Sequence, residues 1–416
     1  MMSIIKNFAW QSLGIYSASV VSLFLLPYLT RTLKAESFGE LAIAQSLAAI
    51  LALLMDFGFL YVGPPEVMQA RGYGARKVGE VLRSALVAKL GIQIFIAAFT
   101  ILWILHEWPS IDSRLVWAAI LWSFSYAIQP SWVAWGLEDH HIYALIEALP
   151  KLVSLFAILY FIRSGDQAFL VLLFQAVFML LTSTMIWFFY LRKYPARFVD
   201  YKIAFSLIKK GLLMMVYRFL GNAYLNFATY LLGLAKGALY AGVYGASDKA
   251  ARALLLFSEP GLRILIPLTT RKLITQNVTY SHILKVGLLL GIGTTLISLI
   301  MSLVAHPLLQ LLLGEEFIKT SPDVVVVFRI LTFLLPLHSL TKYLYVALIT
   351  PLGASCSTLA STGQAIGFGT LFLFSLMYWS RLEPTLMAYF VLASQFFVLV
   401  AAIFTARSCI ERVLKK

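Results

Sequence analysis

The sequence predicts an all-α integral membrane protein of about twelve transmembrane helices. Three observations carry that expectation. Of the 416 residues, 61% are hydrophobic and only 12% charged, where a soluble domain has roughly 45–50% and about 25%. The apolar residues fall in runs near the roughly 20 needed to cross a hydrocarbon core as helix. The connections are short, the longest being 191–210 and 306–323, and leave no room for a folded extramembrane domain. A soluble enzyme is excluded. The net charge of +14 suits anionic headgroups or a polyanionic ligand, and no Lys/Arg-rich soluble module is present to bind nucleic acid.

Taken in order, the first span is 8–30, which runs past Pro27 without a small-residue cleavage pattern and is therefore read as a span, not a removed signal. The second, 38–63, opens at Phe38-Gly39-Glu40 and holds Asp56. The third and fourth, 81–105 and 114–135, carry Trp103 and Trp117 at outer ends and Trp132 and Trp135 at an inner end, where an interfacial aromatic belt belongs. The fifth, 142–162, contains Pro150, and the sixth, 168–190, ends by Trp187 at the basic 191–210 linker. That linker divides the chain into six-span halves, 1–200 and 201–416. The second half repeats the plan at 211–234, 242–268, 285–305, 324–347, 356–379 and 385–406. Parallel repeats of this kind hold a substrate site at their interface. Cys356 and Cys409 show neither metal-ligand nor redox spacing, and no role is assigned to them.

An even number of spans puts both termini on one side. That side carries Lys6, the cations of 71–83, 192–210 and 271–285, and Arg407, Arg412, Lys415 and Lys416, 18 in all, against 7 on the other. By the positive-inside rule both termini are cytoplasmic.

Eight basic residues lie within spans, where an ionised side chain must face water or a partner and is a functional candidate by default. The eighth span places Asp248, Arg252, Glu259 and Arg263 within about 60° of one helix face, with Lys249 beside them. The two acid-to-base pairs at i,i+4 read either as a substrate or ion path or as a satisfied buried network. Arg218 and Asn222 share a face of the seventh span, Lys89 and Gln93 a face of the third, and Glu147 pairs with Lys151 around Pro150 in the fifth. Lysines of this kind can snorkel to an interface. Asp56 is a candidate proton carrier, with local capping or pairing the favoured reading. The substrate-binding candidates are thus Arg218, Arg252, Arg263, Lys89, Lys249 and Asn222; the ion-coupling candidates are Asp248, Glu259, Asp56 and Glu147.

Catalytic motifs are missing. There is no Gly-rich nucleotide loop ending in Lys-Ser/Thr and no His-Glu-x-x-His, so no cofactor and no metal is expected. Glu138-Asp139-His140-His141 reads as a polar turn, because adjacent helical residues point about 100° apart.

Leu26-Pro27-Tyr28-Leu29-Thr30-Arg31, Phe38-Gly39-Glu40-Leu41-Ala42, Asp56-Phe57-Gly58 and Pro130-Ser131-Trp132 resemble the corresponding stretches of bacterial polysaccharide (O-antigen repeat unit) flippases of the Wzx type. The resemblance implies a MATE-like fold of two six-helix bundles around a central cavity. It also implies movement of undecaprenyl-pyrophosphate-linked oligosaccharide across the bacterial inner membrane, beside membrane lipids and other polysaccharide-assembly proteins, with no catalysis. A cationic cavity is what a pyrophosphate needs. A multidrug or cation antiporter of the same fold would instead favour unpaired carboxylates, and a membrane polymerase would need a large non-spanning loop.

The charge bias makes a topological prediction. Reporter fusions at Lys193 and Lys416 should both report the cytoplasm, and a periplasmic signal from either would overturn the orientation.

Overall fold

The computed structural model describes residues 2–106, 111–196, 198–255, 262, 280–349 and 354–414. Every regular element among them is helical. The chain forms two compact units, Met1–Phe219 and Leu220–Lys416, and the division falls inside one continuous helix.

In the first unit α1 (Met2–Asp56) carries the first expected span and the second as far as Asp56, bent at Lys34, whose φ of 61° and ψ of 178° leave the helical region; residues 57–63 of the second expected span fall in a turn and in the next helix. It packs along α6 (His140–Phe161) and α4 (Ser113–Ala127), which in turn pack on α7 (Phe169–Lys193). Tyr28 ties α1 to the end of α6 by donating to the Ile162 carbonyl at 2.6 Å. The short helices α2 (Phe59–Arg71) and α5 (Ser131–Gly136) pack together, and α3 (Ala75–His106) lies against α2 and α1. Helix α8 (Tyr201–Lys236) passes from the first unit into the second.

The second unit contains α9 (Ala238–Leu254), α10 (Tyr280–Leu303), α11 (Ala305–Leu313), α12 (Glu315–Thr320), α13 (Asp323–Thr332), α14 (Leu334–Tyr343), a π-helical stretch Leu344–Ile349, α15 (Ala354–Met377) and α16 (Pro384–Leu414). Cys409, given no role from the sequence, is buried and disulfide-bonded.

Seven stretches among the described residues are long and apolar enough to cross a bilayer. One of them, Val20–Arg71, covers the first expected span from residue 20 onward and all of the second, and the others match the third, fifth, sixth, ninth, tenth and twelfth. The fourth is broken instead. Proline lacks the N–H that continues a helix and disfavours helical backbone before it, so α4 stops at Ala127 and α5 restarts after Pro130.

Hydrocarbon surrounds these helices, so burying leucine against leucine gains little, and contact depends on small residues that let backbones approach. Helix α9 shows this: Ala241, Gly242, Gly245, Ala246 and Ala250 are buried, α13 packs against the helix, and Ser247 donates to the Val324 carbonyl at 2.9 Å. Trp132 and Trp187, expected at the interface, are instead buried, 1% and 5% exposed, with ring centroids 6.1 Å apart. The reason is Gly63 of α2, where any Cβ would sit 2.2 Å from the Trp132 ring. The indole fills the place of the absent side chain.

One close backbone approach sets the site. Phe57 and Gly58 have φ of 50° and 75°, a left-handed turn that ends α1 and starts α2. Helix α8 lies against this turn: a Cβ on Gly58 would stand 2.7 Å from the Gly211 carbonyl oxygen, and one on Gly211 would stand 2.6 Å from that of Phe57. Gly211→Ala should therefore destabilise the protein by about 1–3 kcal/mol through overpacking. Gly91→Ala, with nothing within 4 Å of its Cβ, should be neutral or stabilise by up to about 1 kcal/mol. Thermal unfolding of both variants in detergent checks the pair, and equal midpoints would show that the α8 contact is loose.

Candidate functional site

Arg218 stands seven residues beyond Gly211 on α8, two turns along and so on nearly the same face. Asp56 immediately precedes the turn that Gly211 touches. The glycine contact thus delivers the guanidinium to the carboxylate: Arg218 Nη1 is ion-paired with Asp56 Oδ2. Lys89, from α3, places Nζ 3.0 Å from the other oxygen, Asp56 Oδ1. All three side chains are buried, Lys89 at 1%, Asp56 at 8% and Arg218 at 10% exposure. The Leu60 amide points at Asp56 Oδ2 from 3.4 Å, so the local capping favoured from sequence exists but is the weakest contact of the carboxylate. The main role of Asp56 is to bridge segments 33 and 162 residues away. Nor does Lys89 snorkel, because its partner lies inside the unit.

Aromatic rings complete the cluster. Lys89 Nζ lies 5.4 Å from the Phe59 ring centroid and the Arg218 guanidinium 5.8 Å from that of Tyr61, so each cation gains a ring face. Arg218 also donates to the Tyr126 hydroxyl. One turn beyond Lys89, Gln93 is fully buried with neither side-chain oxygen nor nitrogen hydrogen-bonded. With all three groups ionised, one carboxylate faces two cations and the cluster holds one net positive charge.

Other candidates fall elsewhere. Glu147 pairs with Lys151 at 2.8 Å and accepts from Ser131 at 2.8 Å, the local pair the spacing predicted. In the second unit Asp248 pairs with Arg252 at 2.7 Å on α9, beside half-buried Lys249. The second oxygen of Asp248 is buried without a hydrogen bond. Glu259, Arg263 and the Asn222 side chain lie outside the described residues. Glu138 and Asp139 do form a polar turn, in which Glu138, at φ 59°, pairs with Arg71 at 3.1 Å. Sequence reasoning singled out Asp56, Lys89 and Arg218 separately but missed that they meet, and it missed Phe59, Tyr61 and Tyr126. Among these the one sequence-level trace is the pair of glycines, Gly58 and Gly211, and nothing in their spacing links them.

The arrangement defines a class, an all-α multi-pass membrane protein with the transporter fold shared by MATE and MurJ proteins. A lipid II flippase MurJ in an inward closed conformation matches over 95% of this chain and 87% of its own, with 10% identity and a TM-score of 0.73. A MATE protein in complex with MaL6 matches over 99% and 97% at 13% identity, TM-score 0.55. The MATE multidrug transporter DinF-BH matches over 98% and 94% at 13% identity, TM-score 0.55. At such identities the likeness is one of fold. The chain itself belongs to the polysaccharide biosynthesis protein family, whose model matches residues 4–272. No curated protein matches it in sequence.

The unequal charge count gives a stability prediction. Asp56→Asn strands two buried cations and should cost about 3–5 kcal/mol, whereas Lys89→Met leaves the Asp56–Arg218 pair intact and should cost markedly less. Unfolding midpoints of the two variants in one detergent test this; an equal loss would mean that Asp56 does not serve both partners.

Proposed function

We propose that the protein flips undecaprenyl-pyrophosphate-linked oligosaccharide units from the cytoplasmic to the periplasmic leaflet of the bacterial inner membrane, with both termini cytoplasmic. The transport runs by alternating access coupled to an ion gradient. Membership of the polysaccharide biosynthesis family supports the substrate class, and the single observation that carries the charge preference is the Asp56–Lys89–Arg218 cluster with its surplus cation. A pyrophosphate is an acceptor-rich anion that Arg can bind through two parallel N–H bonds. On this reading the anion competes with Asp56 for Arg218, while Lys89 keeps the carboxylate neutralised. The Asp248–Arg252 pair, with Lys249, offers a second cationic element of the path, and Arg263, Glu259 and Asn222 remain candidates on it. Asp56, Asp248 and Glu147 are the carboxylates through which an ion could be coupled. Partners in polysaccharide assembly would supply and receive the lipid-linked unit.

The cation-antiporter reading is disfavoured by the same count. A site for cationic drugs needs an unpaired carboxylate, and Asp56 has two cations on it.

The test uses vesicles holding the full chain and a lipid-linked oligosaccharide. Arg218→Gln should slow translocation about 10–100-fold, from a charge-assisted bond of about 1.5–3 kcal/mol, with membrane insertion unchanged. Arg218→Lys should restore only part if bidentate geometry matters. Full transport by the Gln variant would sink the assignment, and unchanged rates with the ion gradient collapsed would make the protein a facilitator.

A further inference from the structure

The second unit contains an open pocket of about 510 Å³ bordered by α10, α14, the start of the π-helical stretch and α16, a volume within the range of roughly 300–1,000 Å³ typical of ligand sites. Among the described residues, Thr295 and Tyr343 supply its only polar side chains; the remainder is leucine, isoleucine and glycine. Two glycines open it. A Cβ on Gly287 would meet only Tyr343 Cε1, at 3.9 Å, and one on Gly291 only the Leu340 side chain, at 3.5 Å or more. Gly367 differs, since a Cβ there would stand 2.3 Å from Val398. The glycines of α10 therefore border space, where Gly367 serves close packing. The outer wall is thin: Leu288, Ile292 and Leu296 of α10 are 64%, 50% and 54% exposed.

One end of this pocket is basic. Gly287 faces Tyr343 and Gly291 faces Leu340, so α10 and α14 run antiparallel. Gln395 donates to Thr341 at 3.3 Å, and further along both segments Ala401 and the Tyr345 hydroxyl meet at Gly363, whose added Cβ would stand 2.8 Å and 3.0 Å from them, so α14 and α16 run parallel. Lys285, at i−3 and i−7 from Leu288 and Ile292, extends the lining stripe of α10 by one turn. Arg407, four residues after Ile403, does the same on α16, and Lys342 directly precedes Tyr343 on α14. Two of the walls, α10 and α16, thus carry a cation at the same end on their lining stripes, and Lys342 lies at that level of α14, about 100° round the helix from Tyr343.

We propose that this pocket is a lipid site that holds one hydrocarbon chain of an anionic phospholipid, with the phosphate at the Lys285–Arg407 end. An apolar slot open to the bilayer takes a hydrocarbon chain at little cost, and a basic pocket between transmembrane helices selects anionic headgroups. The charge decides the occupant. A zwitterionic phospholipid would fill the same slot but bring a choline or ethanolamine cation toward Lys285 and Arg407. The site is distinct from the Asp56 cluster, which belongs to the first unit.

Purified, delipidated full-length protein in detergent should bind dioleoylphosphatidylglycerol about tenfold or more tightly than dioleoylphosphatidylcholine, read as bound lipid by native mass spectrometry and as the rise in unfolding midpoint. Lys285→Gln with Arg407→Gln should bring phosphatidylglycerol down to the phosphatidylcholine level. Gly291→Leu should abolish binding of both lipids by filling the slot, and Gly287→Met, at a position with more room, provides the same test if the first variant does not fold. Equal binding of the two lipids by the unmodified protein, or full binding by both filled variants, would overturn the site. Undecaprenyl phosphate should compete no better than phosphatidylglycerol; displacement at about a tenth of the phosphatidylglycerol concentration would make the slot a polyprenyl site and overturn the assignment.

Discussion

One carboxylate is shared by two cations inside a membrane protein, and the first unit is arranged around that fact. An ion without a partner in hydrocarbon costs several kcal/mol, so α3 and α8 can carry Lys89 and Arg218 only where both reach Asp56. The requirement explains features that look unrelated. Helix α1 must end at Asp56 to expose both carboxylate oxygens. The turn after it must be left-handed, and α8 must approach that turn at a glycine, because Arg218 is two turns further along the same face.

Small residues are the second condition of the same arrangement. In water, large apolar side chains would drive these helices together; in lipid they have no such preference, and close backbone contact takes over. Gly58 against Gly211, Gly63 under Trp132 and the buried alanines of α9 are three uses of one rule. Trp132 shows the consequence for the site. Held by Gly63 and packed at 6.1 Å against both Phe59 and Trp187, it anchors the start of α2, and Phe59 is the ring over which Lys89 sits.

Much of this was legible in the sequence, and the limits follow distance along the chain. Composition and run length fix an all-helical membrane protein because the bilayer imposes one length and one backbone solution. Glu147 with Lys151 and Asp248 with Arg252 were visible because a helix brings i and i+4 together whatever surrounds it. Asp56, Lys89 and Arg218 were each flagged by the cost of an intramembrane charge, but no periodicity relates residues 33 and 162 apart. Trp132 and Trp187 misled because the interfacial preference of tryptophan is an average, outweighed at Trp132 by a glycine opposite the ring and at Trp187 by packing on Trp132 and a hydrogen bond to the Ile128 carbonyl. Pro130 was visible as a residue, yet the length of the apolar run 114–135 concealed the break it makes.

The two units meet the cost of buried charge differently, and the difference bears on movement. On α9 the pair Asp248–Arg252 lies within one helix, so the helix can shift as a body without separating the charges. The Asp56 cluster joins three helices, and any displacement of α8 relative to α1 must break an ion pair or find Arg218 another anion. On the proposed function a bound pyrophosphate would be such an anion. The barrier to moving α8 would then be high with the site empty and fall when an anionic headgroup took the guanidinium, which is the dependence a transporter needs to avoid changing state without cargo. Lys89 would make that exchange possible: its own contact with Asp56, at 3.0 Å, does not involve Arg218, so the carboxylate would keep a partner.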